Sequence, residues 1–222
     1  MKPLLWAVAA LITCLGTATG VRADVLFNNF GPGDTYNTGV GWTVSGSSPQ
    51  IASAMAFTPS ETATLDSITL AVSLFTGTNE VLVKLETDAA GQPGTVLESF
   101  DFVNQMGPFG SANPPLTASS LTHPLLATGT QYWLAAFPGA SDTGAAWNFN
   151  SIGQTGPLDQ SADGGASWPT RVTSTEGAFR VEGHAGPNPV PEPATLTLLG
   201  IGGAGLAVGA WWRKRRLLLK IA

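Results

Sequence analysis

The sequence predicts an all-β domain, an antiparallel β-sandwich or jelly roll, between an N-terminal signal peptide and a single C-terminal transmembrane helix. Short apolar segments alternate with turns rich in Gly, Pro and Asn, and no interior segment has the 3.6-residue periodicity of a helix. Each end carries an apolar run beside cations. We expect a signal peptide over 1–23, the sandwich over 24–183, a proline-rich linker over 184–190 and an appended segment over 190–216.

The N-terminal segment has the pattern of a secretory signal peptide. Lys2 precedes an apolar run over 4–15, which is short for a membrane span, and small residues follow up to Ala23. Cleavage after Ala23 would make Asp24 the first residue of the mature chain. Cys14 is the only cysteine, so the mature chain would have no disulfide and no thiol nucleophile. These features predict export by the general secretory route.

The predicted domain is strongly acidic. Residues 24–190 hold 14 Asp and Glu against three cations, Lys84, Arg171 and Arg180, for a net charge of −11. Five of the ten Lys and Arg in the chain lie within residues 213–220. Such a surface repels nucleic acids and anionic lipids, so we expect no nucleic-acid partner.

Several segments predict individual strands. Residues 80–88 alternate apolar and polar side chains, as a half-buried strand does. Residues 63–75 are extended and apolar with one slip near Asp66, which indicates a bulge. Further strands are predicted over 130–138, 144–150 and 176–183, the last closing the domain. Turn signals separate them at 31–34, 76–79, 91–94, 113–115 and 163–165.

The C-terminal segment predicts a membrane span. Residues 195–212 carry no charge and would form a helix about 27 Å long, close to the roughly 30 Å of a hydrocarbon core. The cations that follow would keep the tail 213–222 in the cytoplasm and the domain outside. That basic cluster comprises Arg213, Lys214, Arg215 and Arg216. Gly205 and Gly209 form a GxxxG pair, which either packs against another helix or reflects a glycine-rich span.

A rigid tripeptide stands immediately before this span. Pro191 and Pro193 hold the backbone around Glu192 extended and remove two amide donors, which suits a protease active site. From Val190 to Arg216 the segment VPEPATLTLLGIGGAGLAVGAWWRKRR resembles the PEP-CTERM sorting signal of Gram-negative bacteria that make extracellular polysaccharide. The extra LLLKIA after the cations departs from that pattern.

That resemblance implies a partner and a fate. The partner is an exosortase, a polytopic membrane protease with a cysteine nucleophile, which would act near the motif Val190-Pro191-Glu192-Pro193. The domain would then be released or transferred to a surface acceptor. More faintly, VKLETDAAGQPGTVLESFDF and TQYWLAAF resemble "choice-of-anchor" ectodomains, which have no established activity. We therefore expect a non-catalytic surface or extracellular-matrix protein associated with exopolysaccharide. The alternative is a secreted carbohydrate-active enzyme.

The sequence offers little for catalysis. A serine nucleophile needs a base, and neither His123 nor His184 has a supporting motif. The His and Cys content is too low for a zinc site, and we expect no cofactor. Glycoside hydrolysis requires two carboxylates across a cleft, and no spacing singles out a pair. The candidates are Asp101, Asp142, Asp159, Asp163 and Glu176.

Two weaker binding signals remain. Asp159, Ser161 and Asp163 begin like a calcium loop, but Thr170 stands where the bidentate Glu belongs, so a weak calcium site competes with a plain Asx turn. The domain is also rich in aromatic residues that could stack on sugar rings. Among them Trp133 and Trp147 are predicted to be core residues. The candidate carbohydrate contacts are Trp168, in a Gly-rich loop, and Tyr36.

Overall fold

The computed structural model describes residues 23–185, and in that part of the chain every regular element is a strand. The strands are Asp24–Asn28 (β1), Tyr36–Ser45 (β2), Ala52–Phe57 (β3), Ala63–Leu70 (β4), Val72–Thr76 (β5), Glu80–Asp88 (β6), Pro93–Val103 (β7), Gly107–Pro108 (β8), Leu116–Ser119 (β9), Leu125–Leu126 (β10), Tyr132–Pro138 (β11), Gly144–Asn150 (β12), Thr155–Ser161 (β13), Thr170–Thr175 (β14) and Phe179–His184 (β15). No helix of the described residues has the length and apolar character to cross a membrane.

The strands form three sheets. The largest has the order β14-β13-β3-β11-β6-β7, the second β1-β15-β4-β10 with β9 also on β4, and the third β2-β12-β5-β8. Every pair is antiparallel except the two-residue contact of β5 with β8. The predicted all-β class is confirmed.

The two smaller sheets are joined through Ala71, the one residue between β4 and β5. Its N–H donates to Ala178 O at 3.0 Å, and its carbonyl accepts the N–H of Asn148 at 2.8 Å. Together these sheets form one layer of the sandwich and the six-stranded sheet forms the other. The core between them includes Leu26, Met55, Ile68, Phe102, Leu134, Trp147, Leu158 and Phe179.

Periodicity in the sequence explains the strands that it predicted. Val81, Val83 and Leu85 of β6 are buried in the core, while the alternate side chains face outward. In the pairing of β15 with β4, Glu182 is opposite Ser67, whereas the next residue, Gly183, is opposite Leu65. Asp66 is therefore left without a partner on β15. The predicted bulge at Asp66 is therefore confirmed.

The outer face of the six-stranded sheet is also covered. A second cluster contains Ala52, Ala54, Ala56, Trp133, Ala135, Phe137 and Trp168. Trp168 belongs to the loop between β13 and β14, which folds back over the small alanine side chains. Every residue of β3 is buried as a result, because both of its faces are enclosed.

The two ends of the domain lie side by side. β1 begins at Asp24, the predicted first residue of the mature chain, and pairs with β15 so that Asp24 faces Gly183. β15 lies between β1 and β4 and ends at His184. Several predictions concern residues outside the described range: the signal peptide up to Arg22, the motif Val190, Pro191, Glu192 and Pro193, the pair Gly205 and Gly209, and the cluster Arg213, Lys214, Arg215 and Arg216.

Candidate functional site

The loop after β13 is organised by the Asp163 carboxylate. Ser161 Oγ donates to Asp163 Oδ1 at 2.6 Å, and Ser167 donates its N–H to Oδ1 at 2.9 Å and its hydroxyl to Oδ2 at 2.6 Å. The hydrogen bonds from Ser161 and Ser167 lower the pKa of Asp163 to about 2. Both carboxylate oxygens therefore serve to close the loop.

Asp159 lies on β13 itself and in a different environment. It is fully buried, and its nearest cation is Arg171, whose Nε lies 3.7 Å from Oδ1. Burial raises the pKa of Asp159 to about 6, and the charge of Arg171 opposes that rise. In the described residues no hydrogen-bond donor reaches either of its carboxylate oxygens.

These contacts correct the predicted calcium loop. Asp163 and Ser161 bond to each other and to the loop, whereas Asp159 faces Arg171, so the three side chains do not form a cation site. Across the described residues, His, Cys, Asp and Glu nowhere cluster in a group of three or more suited to a metal ion. The geometry fits the alternative of an Asx-type turn.

The predicted exposure of Trp168 is wrong. Its side chain is only 8% exposed, and its ring meets Phe137 edge-on at a centroid distance of 6.0 Å. Gly164 and Gly165 have φ values of +71° and +91°, a conformation that lets the loop reverse onto the sheet. Gln92 Nε2 then donates to the Trp168 carbonyl at 2.7 Å and holds it there.

Tyr36 also has a structural role. Its hydroxyl donates to Asn113 O at 2.8 Å and accepts the Asn113 N–H at 2.9 Å, which holds the loop after β8 against β2. Its ring packs edge-on against Phe30 at 6.4 Å. The structure therefore does not bring Tyr36 and Trp168 together on one exposed face. Trp133 and Trp147 are fully buried, as the sequence predicted.

The remaining candidate carboxylates stand in separate local networks. Glu176 is buried, accepts Asn29 Nδ2 at 3.1 Å and Gln154 Nε2 at 3.2 Å, and has its pKa raised to about 7 by burial. Asp142 is exposed, and a hydrogen bond from Thr78 lowers its pKa. Burial removes Asp159 and Glu176 from contact with a soluble substrate.

A small cleft opens beside the covered face of the six-stranded sheet, with a volume of about 290 Å³. Its polar lining comes from Gln50, Lys84 and Ser141, and its apolar lining from Leu82, Phe137 and Pro138. Phe137 and Leu82 are direct partners across β11 and β6, so strand pairing brings these segments together. Sequence reasoning missed this cleft, since its lining comes from four distant segments.

Lys84 is distinctive among the cations of the described residues. Arg171 is engaged by Asp159, and Arg180 is engaged by Asp34 at 2.6 Å and Glu182 at 3.2 Å. Within that part of the chain Lys84 has no carboxylate within 4.0 Å. Its Nζ lies 4.2 Å from the centre of the Phe137 ring and lines the cleft. The cleft thus presents an ammonium group beside an apolar wall.

Comparison with known proteins identifies the C-terminal segment. Residues 189–216 match the model of the PEP-CTERM protein-sorting motif. No curated protein and no solved structure matches the chain. The chain therefore carries the sorting signal of exported proteins that an exosortase handles, as the resemblance of residues 190–216 indicated. The likeness of the domain to choice-of-anchor ectodomains stays a prediction.

Proposed function

We propose that this chain is a bacterial surface or matrix protein, anchored first by its C-terminal segment and then cut near Pro191-Glu192-Pro193. The sorting motif at residues 189–216 carries the proposal. The uncharged run 195–212 and the basic cluster behind it support an orientation with the acidic domain outside the membrane. The N-terminal segment supplies the route of export. Cleavage frees the domain or transfers it to a surface acceptor.

Replacing Glu192 by Ala tests the processing step. In a host that has an exosortase, the wild-type protein at the surface or in the medium should begin at Asp24 and lack its tail, whereas the variant retains it. The physical reason is that the tripeptide is the element an active site would grip in extended form. Intact mass of both proteins measures the outcome.

A matched Asn188→Ala variant, which alters the linker but keeps both prolines and Glu192, should be processed like the wild type. A tail retained by the wild type would contradict the proposal and identify residues 195–212 as a permanent anchor.

The proposed role of the domain is non-catalytic binding of extracellular polysaccharide in the cleft at Lys84. A volume of about 290 Å³ lies at the lower limit of ligand sites, which fits one sugar unit of a chain. Leu82 and Pro138 offer an apolar surface, while Gln50 and Ser141 offer hydrogen-bonding groups. No carboxylate of the described residues lies within 4.0 Å of Lys84, and the buried Glu86 is affected by its charge only at longer range, so a sugar that bears a carboxylate complements the ammonium group.

Lys84→Met tests this site, because Met keeps the packing on Phe137 and removes the charge. Titration calorimetry with glucuronate oligosaccharides should show at least about a tenfold loss of affinity, whereas Lys84→Arg retains most of it. Neutral glucose oligosaccharides should bind the wild type weakly and show no dependence on Lys84. Equal affinity in the wild type and Lys84→Met would overturn the site. Release of new reducing ends during the titration would favour the carbohydrate-active enzyme.

A further inference from the structure

Two leucines stand out on the surface of the domain. Leu121 is 87% exposed and Leu125 is 65% exposed, which makes them the two most exposed large hydrophobic side chains of the described residues. They lie four positions apart in the segment 120–125, which comprises the connection from β9 to β10 and the first residue of β10, and which we call the leucine loop. Single exposed apolar residues are ordinary, and two in one short loop gain significance only from the position of that loop in the domain.

The leucine loop is held rigidly from beneath. The buried Glu98 carboxylate accepts Ser120 Oγ at 2.5 Å, the Leu121 N–H at 2.6 Å and the Thr122 N–H at 3.2 Å. His123 adopts a φ of 48° and donates its N–H to Ser120 Oγ at 2.9 Å. These bonds fix the backbone at Leu121, and the pairing of β10 with β4 fixes it at Leu125.

Strand pairing places the leucine loop where the chain leaves the domain. Leu125 of β10 is opposite Thr64 of β4, and Thr64 is opposite His184, the last residue of β15. Two strand spacings amount to about 10 Å, so Leu125 lies beside the exit of the C-terminal segment. Val25, another exposed apolar residue, lies on the other side of β15 opposite Glu182.

The charge distribution singles out the same region. Residues 102–141 contain no Asp, Glu, Lys or Arg, and this is the longest such stretch of a domain whose net charge is −11. The leucine loop lies within it, although Glu98 lies beneath the loop and Asp66, whose carbonyl accepts the Ser120 N–H, lies beside it. Leu121 and Leu125 themselves carry no charge, so no charged group has to be dehydrated when these two side chains enter lipid.

The length of the tether limits how far the domain can move. Ten residue steps separate Ala185 from Thr195, where the predicted span begins, and they reach at most about 35 Å when fully extended. The exit end of the domain therefore stays close to the bilayer for as long as the tail is intact. A tethered surface acts at a high effective concentration, so even a contact of two side chains becomes populated.

We propose that the leucine loop rests on the lipid surface while the chain is anchored, with Leu121 and Leu125 inserted among the headgroups. This inference depends on the proposed membrane anchor. The contact orients the domain with the C-terminal end of β15 toward the bilayer. Once the tail is cut, the tether is lost, and two leucines are too small a surface to retain the domain. Cleavage of the tail therefore releases the domain from the membrane.

Site-directed spin labelling tests the proposal on the full chain. In a Cys14→Ala background, single-cysteine variants Leu121→Cys and Leu125→Cys carry a nitroxide, and the chain is reconstituted into phosphatidylcholine nanodiscs. The controls are Val103→Cys and Val172→Cys. Their native side chains are 51% and 41% exposed, and they lie on β7 and β14, the two edge strands of the six-stranded sheet. Collision rates with oxygen, which partitions into lipid, and with a water-soluble nickel chelate are compared.

The ratio of oxygen to nickel collisions should be about threefold higher at positions 121 and 125 than at the controls, and the excess should vanish after the tail is removed by protease. A Ser119→Cys reporter should lose its own excess when both leucines are replaced by Ser. Equal ratios at all positions in chains that enter nanodiscs overturn the contact but leave the anchor intact. Low collision rates with both oxygen and the nickel chelate at positions 121 and 125 would indicate that a protein covers them, and would likewise overturn the lipid contact. Chains that do not enter nanodiscs overturn the anchor and the inference together.

Discussion

Replacing Glu176 by Gln is expected to stabilise the domain at pH 8 by on the order of 2 kcal/mol, with little effect near pH 4.5. Glu176 is buried, and burial raises its pKa from 4.5 to about 7. The folded state therefore binds a proton that the unfolded chain releases near pH 4.5. Gln stays neutral at every pH and keeps an oxygen for Asn29 and Gln154 to donate to.

The sign of the pH dependence follows from this difference. The contribution of Glu176 is fully present below pH 4.5 and is lost as pH rises from 4.5 to about 7. Asp159 acts in the same direction between pH 3.8 and about 6. Asp163 acts in the opposite direction, and its contribution is lost as pH falls from 3.8 to about 2. Urea unfolding from pH 4 to 8 measures the wild type against Glu176→Gln.

Glu98→Gln provides a matched control for Glu176→Gln. Burial alone would raise the pKa of Glu98, but hydrogen bonds from Ser120, Leu121 and Thr122 outweigh burial and lower it. That substitution should therefore destabilise the domain at neutral pH. Parallel stability curves for the wild type and Glu176→Gln would show that Glu176 is ionised in the folded protein already at acid pH, contrary to the prediction.

Trp147→Ala should cost about 3–5 kcal/mol, a large share of the stability of a domain this size. Trp147 is fully buried in β12, and its ring meets Phe179 of β15 at a centroid distance of 5.8 Å. Its Nε1 donates to Ala178 O at 3.1 Å, so it ties the two smaller sheets together as well as filling the core. Removing it leaves a cavity that rigid strands cannot close.

Chemical denaturation followed by far-ultraviolet circular dichroism measures that loss without depending on tryptophan fluorescence. Phe75→Ala is the control, because Phe75 lies on the neighbouring strand β5 with its side chain exposed. Its cost should stay below about 1 kcal/mol. If Trp147→Ala cost no more than the control, Trp147 would not hold the sheets together.

The strands that the sequence predicted are those with one exposed face or a compact apolar run. Residues 80–88 and 144–150 match β6 and β12 at both ends. β3 was missed because a strand covered on both faces has no alternation, and its sequence ASAMAF is mostly alanine. β13 was missed because it contains Gly156 and Pro157. Pro157 is tolerated since it lies just before Leu158, where the pairing with β3 begins.

The candidate site was harder to predict than the fold. A tryptophan between Ser167 and Pro169 in a Gly-rich loop indicates exposure when only local sequence is considered. Its burial depends on the bare alanine face of β3, more than a hundred residues earlier in the chain. The cleft at Lys84 likewise requires the register of β11 with β6, which no local pattern specifies. The sorting motif was recognisable because its parts are contiguous in sequence.

The position of β15 between β1 and β4 has a consequence for how the chain reaches its final state. A protein exported from its N terminus delivers β1 to the outside first, but the partner that β1 needs is the last strand to emerge. The edge formed by β4 also stays open until residues 179–184 arrive. If the chain is exported N terminus first, as proposed, this sheet can close only after residues 179–184 have been translocated. On that route the sheet closes shortly before the sorting motif reaches the membrane. A domain released before β15 had paired would leave with β1 unpaired.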